Sequence, residues 1–239
     1  MIDLHLLKVR FRSDISADEE RVIRDLVSHT ERAPADKVIV RSGELVEHSR
    51  ILIDGWVARA KDLQNGLRQY AEIHVPGDFP DLHSFTLKRL DHELVTMTPC
   101  IFGLVPHERL RNMTERYPRL TRIYWLATNI DAAIHREWTL SLGRRTAIAR
   151  MANFFCEMFV RLGIVGLTRG NSYEFPLTQA ELGETLGLTS VHVNRTLQEL
   201  RKMNVIEVEG RSVSILDFDR LQAVAEFDDS YLYLEKRER

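Results

Sequence analysis

The 239-residue sequence predicts an α+β chain of two domains: a run of short antiparallel strands, one long connecting helix, and a C-terminal group of short helices closed by a hairpin. Three observations point to it. Between Lys37 and Pro106, short β-rich pieces are punctuated by turn residues. From Pro118 onward, apolar residues recur at intervals of three and four. From Pro176 to Ile215, two short helical patterns flank Gly187 and a strand–turn–strand pattern follows.

Composition permits this and narrows little else. A hydrophobic share of 44% against 28% charged residues is that of a chain with sizeable cores. The start, MIDLHLLKVRFRSD, places its charges after its apolar residues, which is the reverse of a secretory signal, and no apolar run is long enough to span a membrane. Cys100 and Cys156 stand far apart in apolar surroundings, so the expectation is two buried thiols in a reducing cytoplasm rather than a disulfide framework. A net charge of −2 does not by itself announce a partner for nucleic acid, so any such argument rests on local pattern.

Taken in order, Ser16-Ala17-Asp18-Glu19 has the form of a capping box, and Val22, Ile23, Leu26 and Val27 follow at helical spacing, predicting a helix from about Asp18 to Thr30. Strands are expected at Val38–Val40, Ile51–Ile53, Trp56–Ala58, Tyr70–Val75, Leu94–Met97 and Cys100–Val105, with turns at Ser42-Gly43, Asp54-Gly55, Asn65-Gly66 and Pro76-Gly77-Asp78. Asn65-Gly66 is a strong hairpin signal because both residues tolerate positive φ. Pro118 suits the first position of a helix. Ile123, Leu126, Ile130, Ala133, Glu137 and Leu140 then form a heptad-like seam suited to pairing with a second copy; the alternative is an amphipathic helix packed on its own barrel. Gly143 is the expected break, followed by a helix from Arg144 to Arg161 with Ile148, Met151, Ala152, Phe155 and Phe159 on one face. The expected divisions are 1–117, 118–142 and 143–239.

The stretch from Pro176 is the most informative. Thr178-Gln179-Ala180-Glu181 is a second capping box, and Gly187 supplies a left-handed turn. Gly183 leaves room where two helices cross, and Val193 is the apolar plug between them. Those offsets describe a helix-turn-helix, and Glu209-Gly210 turns the hairpin wing behind it. The second helix, capped by Thr189 or Ser190, would lie in a DNA major groove and present Ser190, Val191, His192, Asn194 and Arg195. Arg195 is the expected guanine reader, and Val191 offers only an apolar contact, as to a thymine methyl. Thr178 and Gln179 suit phosphate contacts, with Arg201 and Arg211 adding charge.

These residues resemble the Crp/Fnr family of bacterial regulators over nearly the whole chain. The match is strongest in LTQAELGETLGLTSVHVNRTLQELR and the wing with Gly210-Arg211. It continues in ILIDGWVARAKDLQNGLRQYAEIHVPGDF and in Leu142-Gly143-Arg144-Arg145-Thr146-Ala147. The resemblance implies a cyclic-nucleotide-binding-type antiparallel β-roll, a long dimerisation helix and a C-terminal winged helix-turn-helix. It also implies a homodimer on a near-palindromic double-stranded DNA site, with RNA polymerase as a further partner if the protein activates.

Departures from the family pattern matter as much. Many members carry glutamate where Val191 stands, so the half-site read here is expected to differ. Asp91-His92-Glu93 occupies the region where cyclic-AMP binders hold the phosphate with Arg-Ser or Arg-Thr, and acids there repel an anion. The N-terminal cysteines of iron–sulfur members are missing. The effector, and any cofactor, is therefore unassigned. Asp81, His83, His92 and Glu93, with His74 nearby, are the candidate lining of an effector pocket; they are either a metal or haem site or ordinary hydrogen-bonded residues. No nucleophile–base pairing, phosphate-binding glycine loop or HExxH motif suggests an enzyme.

Overall fold

The computed structural model describes residues 1–238 and divides into two compact units. The first comprises Met1–Ala60, Ile73–Ala133 and the tail beginning at Leu232; the second comprises Lys61–Glu72 and Ile134–Tyr231. The division therefore falls inside the long helix, and the tip of one hairpin belongs with the C-terminal unit, unlike the expected divisions after residues 117 and 142.

The first unit opens with α1 (Asp3–Arg12), a helix without a sequence signal at its start: its N-cap is Ile2, with no side-chain cap. Next comes α2 (Ala17–Asp25), with both arms of the Ser16–Glu19 capping box formed. It stops short of Thr30 because His29–Ala33 is a strand, β1, whose pairing with β7 runs from His29↔Leu104 to Ala33↔Cys100. The remaining strands are β2 (Val38–Val40), β3 (His48–Asp54), β4 (Val57–Asp62), β5 (Arg68–His74), β6 (Glu93–Thr96) and β7 (Cys100–Pro106), with a one-turn α3 (Ser84–Leu87) between β5 and β6. They make two sheets, ordered β1-β7-β3 and β2-β6-β4-β5.

Alternation along β3 divides the core. Leu52 joins the roll interior with Val57, Leu94, Cys100 and Phe102, while its neighbour Ile51 faces the helices α1, α2, α4 (His107–Arg116) and α5 (Pro118–Arg144). Cys100 and Cys156 are both buried free thiols, and burial pushes them up to about 11 and about 12.

In the second unit α5 runs on through Gly143 to Arg144. The break comes at Thr146, whose hydroxyl accepts from Ala149 N and caps α6 (Ala147–Ile164). A capping hydroxyl thus sets the break where a glycine was expected to. Met151, Ala152 and Phe155 of α6 are fully buried, and Phe155 meets Phe175 at 5.4 Å between ring centres. The hairpin β8 (Thr168–Arg169) and β9 (Ser172–Glu174) precedes α7 (Gln179–Leu186) and α8 (Ser190–Lys202). The wing is β10 (Ile206–Glu209) and β11 (Ser212–Ile215), followed by α9 (Phe218–Ala225) and a 3-10 turn, Asp229–Leu232. These strands form one sheet, β10-β11-β9-β8. Among the described residues no helix is long and apolar enough to cross a membrane.

Candidate nucleic-acid interface

Two capped helices and one close approach build the interface. Thr178 Oγ1 accepts from Glu181 N while Glu181 Oε2 accepts from Thr178 N, completing the box that starts α7. Gly187 ends α7 at φ +62°, a conformation costly for any residue with a Cβ. A Cβ at Gly183 would lie 2.5 Å from Leu188 O and 3.7 Å from a methyl of Val193, so only glycine lets the turn fold back over α7. Thr189 Oγ1 accepts from His192 N and starts α8. Val193, Thr196, Leu197 and Leu200 are buried, which fixes the rotation of α8 and leaves its other face in solvent.

That free face carries Ser190, Val191, His192, Asn194 and Arg195, all exposed. Val191 is 81% exposed, the highest value among the exposed large apolar side chains, so it gains nothing from its own fold. The Arg195 guanidinium is held lightly, donating to His192 Nε2 and lying 3.8 Å from Glu199. Asn194 Oδ1 accepts from Gln198 Nε2 at 2.9 Å. Such surface pairs are weak and yield easily to a stronger partner. Gln179 is exposed beside the α7 cap. Arg201 turns instead toward the wing, donating to Val208 O at 2.5 Å, and Arg211 lies 3.8 Å from Glu174.

Two residues that sequence reasoning missed hold the end of α7 in place. Arg150 of α6 donates to Ser141 O (3.1 Å), Leu142 O (3.0 Å) and Arg145 O (3.2 Å) at the end of α5, and to Leu186 O (2.5 Å) at the end of α7. Gln69, in the hairpin joining β4 and β5, donates to Thr185 O at 3.0 Å. Their partners are backbone carbonyls, which leave no trace in a side-chain pattern.

The two sets of residues expected elsewhere are placed differently from their sequence reading. In the proposed pairing seam, Ile123, Ile130 and Ala133 are 3–6% exposed in the single chain, so their apolar surface is already spent on it. Leu126 is half-buried, Glu137 pairs with Arg145 at 2.6 Å, and Leu140 alone is exposed. The solvent-facing line of α5 is instead Trp125, Asn129, Ala132, Arg136 and Thr139, with Leu140 beside it. Of the candidate effector residues, His83 and His92 do meet, with ring centres 5.2 Å apart. His92 is pushed down to about 4, chiefly by burial and then by the Arg59 charge. Asp81 does not join them: it is fully buried, accepting from Arg50 N at 2.5 Å and Arg50 Nη1 at 3.0 Å. Glu93 is half-buried on β6, and His74 sits 3.4 Å from Asp78. Arg59 donates to Pro80 O and to Asp131. Among the described residues no three His, Cys, Asp or Glu side chains gather where a metal ion could be held.

Comparison with known proteins agrees with this fold. Residues 149–224 match the Crp-like helix-turn-helix domain, and residues 30–117 match the cyclic nucleotide-binding domain. The transcriptional activator protein FnrL of Cereibacter sphaeroides is 28% identical over 209 residues, covering 85% of this chain and 83% of that protein. The nitrogen fixation regulation protein FixK of Bradyrhizobium diazoefficiens is 28% identical over 180 residues, covering 73% of this chain and 72% of that protein. The solved structure of FixK2 from Bradyrhizobium japonicum superposes with a TM-score of 0.77 at 26% identity, covering 83% of this chain and 98% of that one. The c-di-GMP responsive regulator CLP of Xanthomonas campestris shares the fold at 15% identity, with a TM-score of 0.62 over 84% of this chain and 99% of that one.

Proposed function

The chain belongs to the Crp/Fnr family of transcriptional regulators, and from that premise we propose that it reads DNA as a homodimer, with two copies of α8 one helical turn apart on a near-palindromic site. The observation that carries the reading is the free face of α8, where Arg195, Asn194 and Val191 stand in solvent on a helix whose rotation is fixed by its buried side. Arg195 donates twice to a guanine, Val191 covers a thymine methyl, and Asn194 reads an adenine or holds a phosphate. Ser190 and His192 flank them; Thr178, Thr189 and Gln179 sit at helix starts, where backbone N–H groups and the helix dipole favour phosphate. Arg201 and Arg211 add positive charge along the wing. RNA polymerase is the further partner if the protein activates, as the description of FnrL favours.

Selection of bound sequences from a random DNA pool tests this. A palindrome with a guanine preference is expected, and Arg195→Ala is expected to lose that preference and about tenfold to hundredfold in affinity, with the melting temperature unchanged. Enrichment by wild type and mutant alike would remove Arg195 from the reader.

Pairing is proposed through the solvent-facing line of α5, with Trp125, Ala132 and Leu140 as its apolar members, since the inward seam is occupied. Trp125→Glu is expected to shift the protein from dimer to monomer in light scattering. A dimer that survives this change at micromolar concentration would place the contact elsewhere.

A further inference from the structure

A cavity of about 60 Å³ lies in the first unit between α1 and α5, and nothing in DNA reading uses it. Its wall is apolar along Phe79, Leu82, Ile123 and Ile130, and its polar members come chiefly from α1: Lys8, Arg12 and, just beyond the helix, Ser13. None of Asp81, His83, His92 or Glu93 lines it, so it is distinct from the effector pocket the sequence suggested.

Three features describe its ligand. Ser13 is 1% exposed, and its Oγ has no hydrogen-bond partner among the described residues; a buried hydroxyl in that state is costly unless something occupies the space beside it. Two cations line it: Lys8 is paired with the buried Asp78 carboxylate, and the one lining carboxylate, Asp131, accepts from Arg59 Nη2 at 2.9 Å, so the positive balance rests on Arg12. The volume is far below the several hundred Å³ of a pocket for a nucleotide-sized ligand, yet it exceeds the roughly 10–15 Å³ needed by one water. An apolar wall, a cationic end and room for a few heavy atoms fit a short acid.

We propose that this cavity binds a short-chain monocarboxylate, its carbon chain against Phe79, Leu82, Ile123 and Ile130, and its carboxylate toward Ser13, Lys8 and Arg12. Arg12 also donates to Leu232 O at 3.0 Å and Tyr233 O at 3.2 Å, so the headgroup would share a guanidinium with the C-terminal tail. The proposal goes beyond DNA reading and does not depend on it.

Isothermal titration calorimetry on the full chain, without DNA and in carboxylate-free buffer, tests it with acetate, butyrate and hexanoate and with 1-butanol as the uncharged counterpart. Saturable binding of one butyrate per chain is expected, with 1-butanol at least about tenfold weaker because it lacks the charge-assisted contacts. Ala127→Phe, which fills the cavity, is expected to abolish binding. Because that variant risks misfolding, Ser13→Ala is paired with it: it is expected to weaken butyrate several-fold and leave 1-butanol unchanged, a split that general damage to the fold does not produce. No saturable heat with any acid at millimolar concentration, equal affinity for acid and alcohol, or butyrate binding untouched in both variants would each overturn the assignment.

Discussion

Arg50 and Arg59 in the strand roll are 7% and 4% exposed and spend their donors on Asp81, Pro80 O and Asp131, whereas Arg195 of α8 stands in solvent with two weak neighbours. The residue type is the same; burial decides its work. In the roll, a guanidinium taken out of water must be saturated, and it then acts as a structural tie whose loss is expensive. On α8, it is left under-used, so that its donors are available to a partner. Stability should therefore be sensitive to charge in the first unit and nearly indifferent to it on the reading face.

The largest effect expected from that contrast is at Asp81. Asp81→Ala leaves the Arg50 guanidinium and the Arg50 N–H buried without their acceptor, and a loss of about 3–5 kcal/mol in unfolding free energy is expected from denaturant titration. A loss below about 1 kcal/mol would mean that Arg50 escapes to water and that the contrast fails. Next is Gly183→Val, where over-packing against Leu188 O should cost about 3 kcal/mol, toward the upper end of such changes because the obstacle is backbone. Its signature is loss of DNA binding with the near-native signal of the strand roll retained.

The smallest is a pH effect that separates a buried base from an exposed one. His5 Nδ1 donates to Gly77 O and its Nε2 accepts from the Tyr124 hydroxyl, and burial pushes it down to about 4. The Gly77 bond and Asp78 pull it up and Lys8 pushes it further down, but burial is the largest influence. The unfolded chain, with an ordinary histidine near 6.5, binds the extra proton between that pH and about 4. Stability from His5 is thus complete above pH 6.5 and declines as the pH falls, by about 2 kcal/mol at pH 5. Melting curves of wild type and His5→Gln from pH 7 to 5 should converge as the pH drops; parallel curves would show that His5 stays protonated or unprotonated in both states.

The same contrast explains what could be read from the sequence. The helix-turn-helix was legible because its determinants are local: Thr178 and Glu181 cap within one turn, Gly187 takes positive φ, and Gly183 and Val193 sit at fixed offsets from it. Its free face then follows from helical periodicity. The strands of the roll were legible for their alternation and turn residues, yet β1 was not, since His29–Ala33 is exposed at four of five positions and is a strand only because β7 pairs with it some seventy residues away. The seam on α5 showed why periodicity alone misleads: Ile123 and Ile130 mark a buried face, but the pattern does not say whether a second copy or the chain itself does the burying. For Asp81 the sequence leaves a pocket ligand and an ordinary hydrogen-bonded residue both open, because its partner, Arg50, is thirty-one positions away and no spacing rule links the two.

Arg150 binds the ends of α5 and α7 through four neutral carbonyls rather than through a carboxylate. Contacts between a reading face and phosphates weaken steeply as ions are added, because binding releases counterions. A partly buried charge bonded to neutral acceptors is screened far less. Raising the ionic strength should thus strip this protein from DNA while leaving α7 fastened to the long helix, so that what dissociates is an intact, preset reader ready to bind again once the ions are diluted.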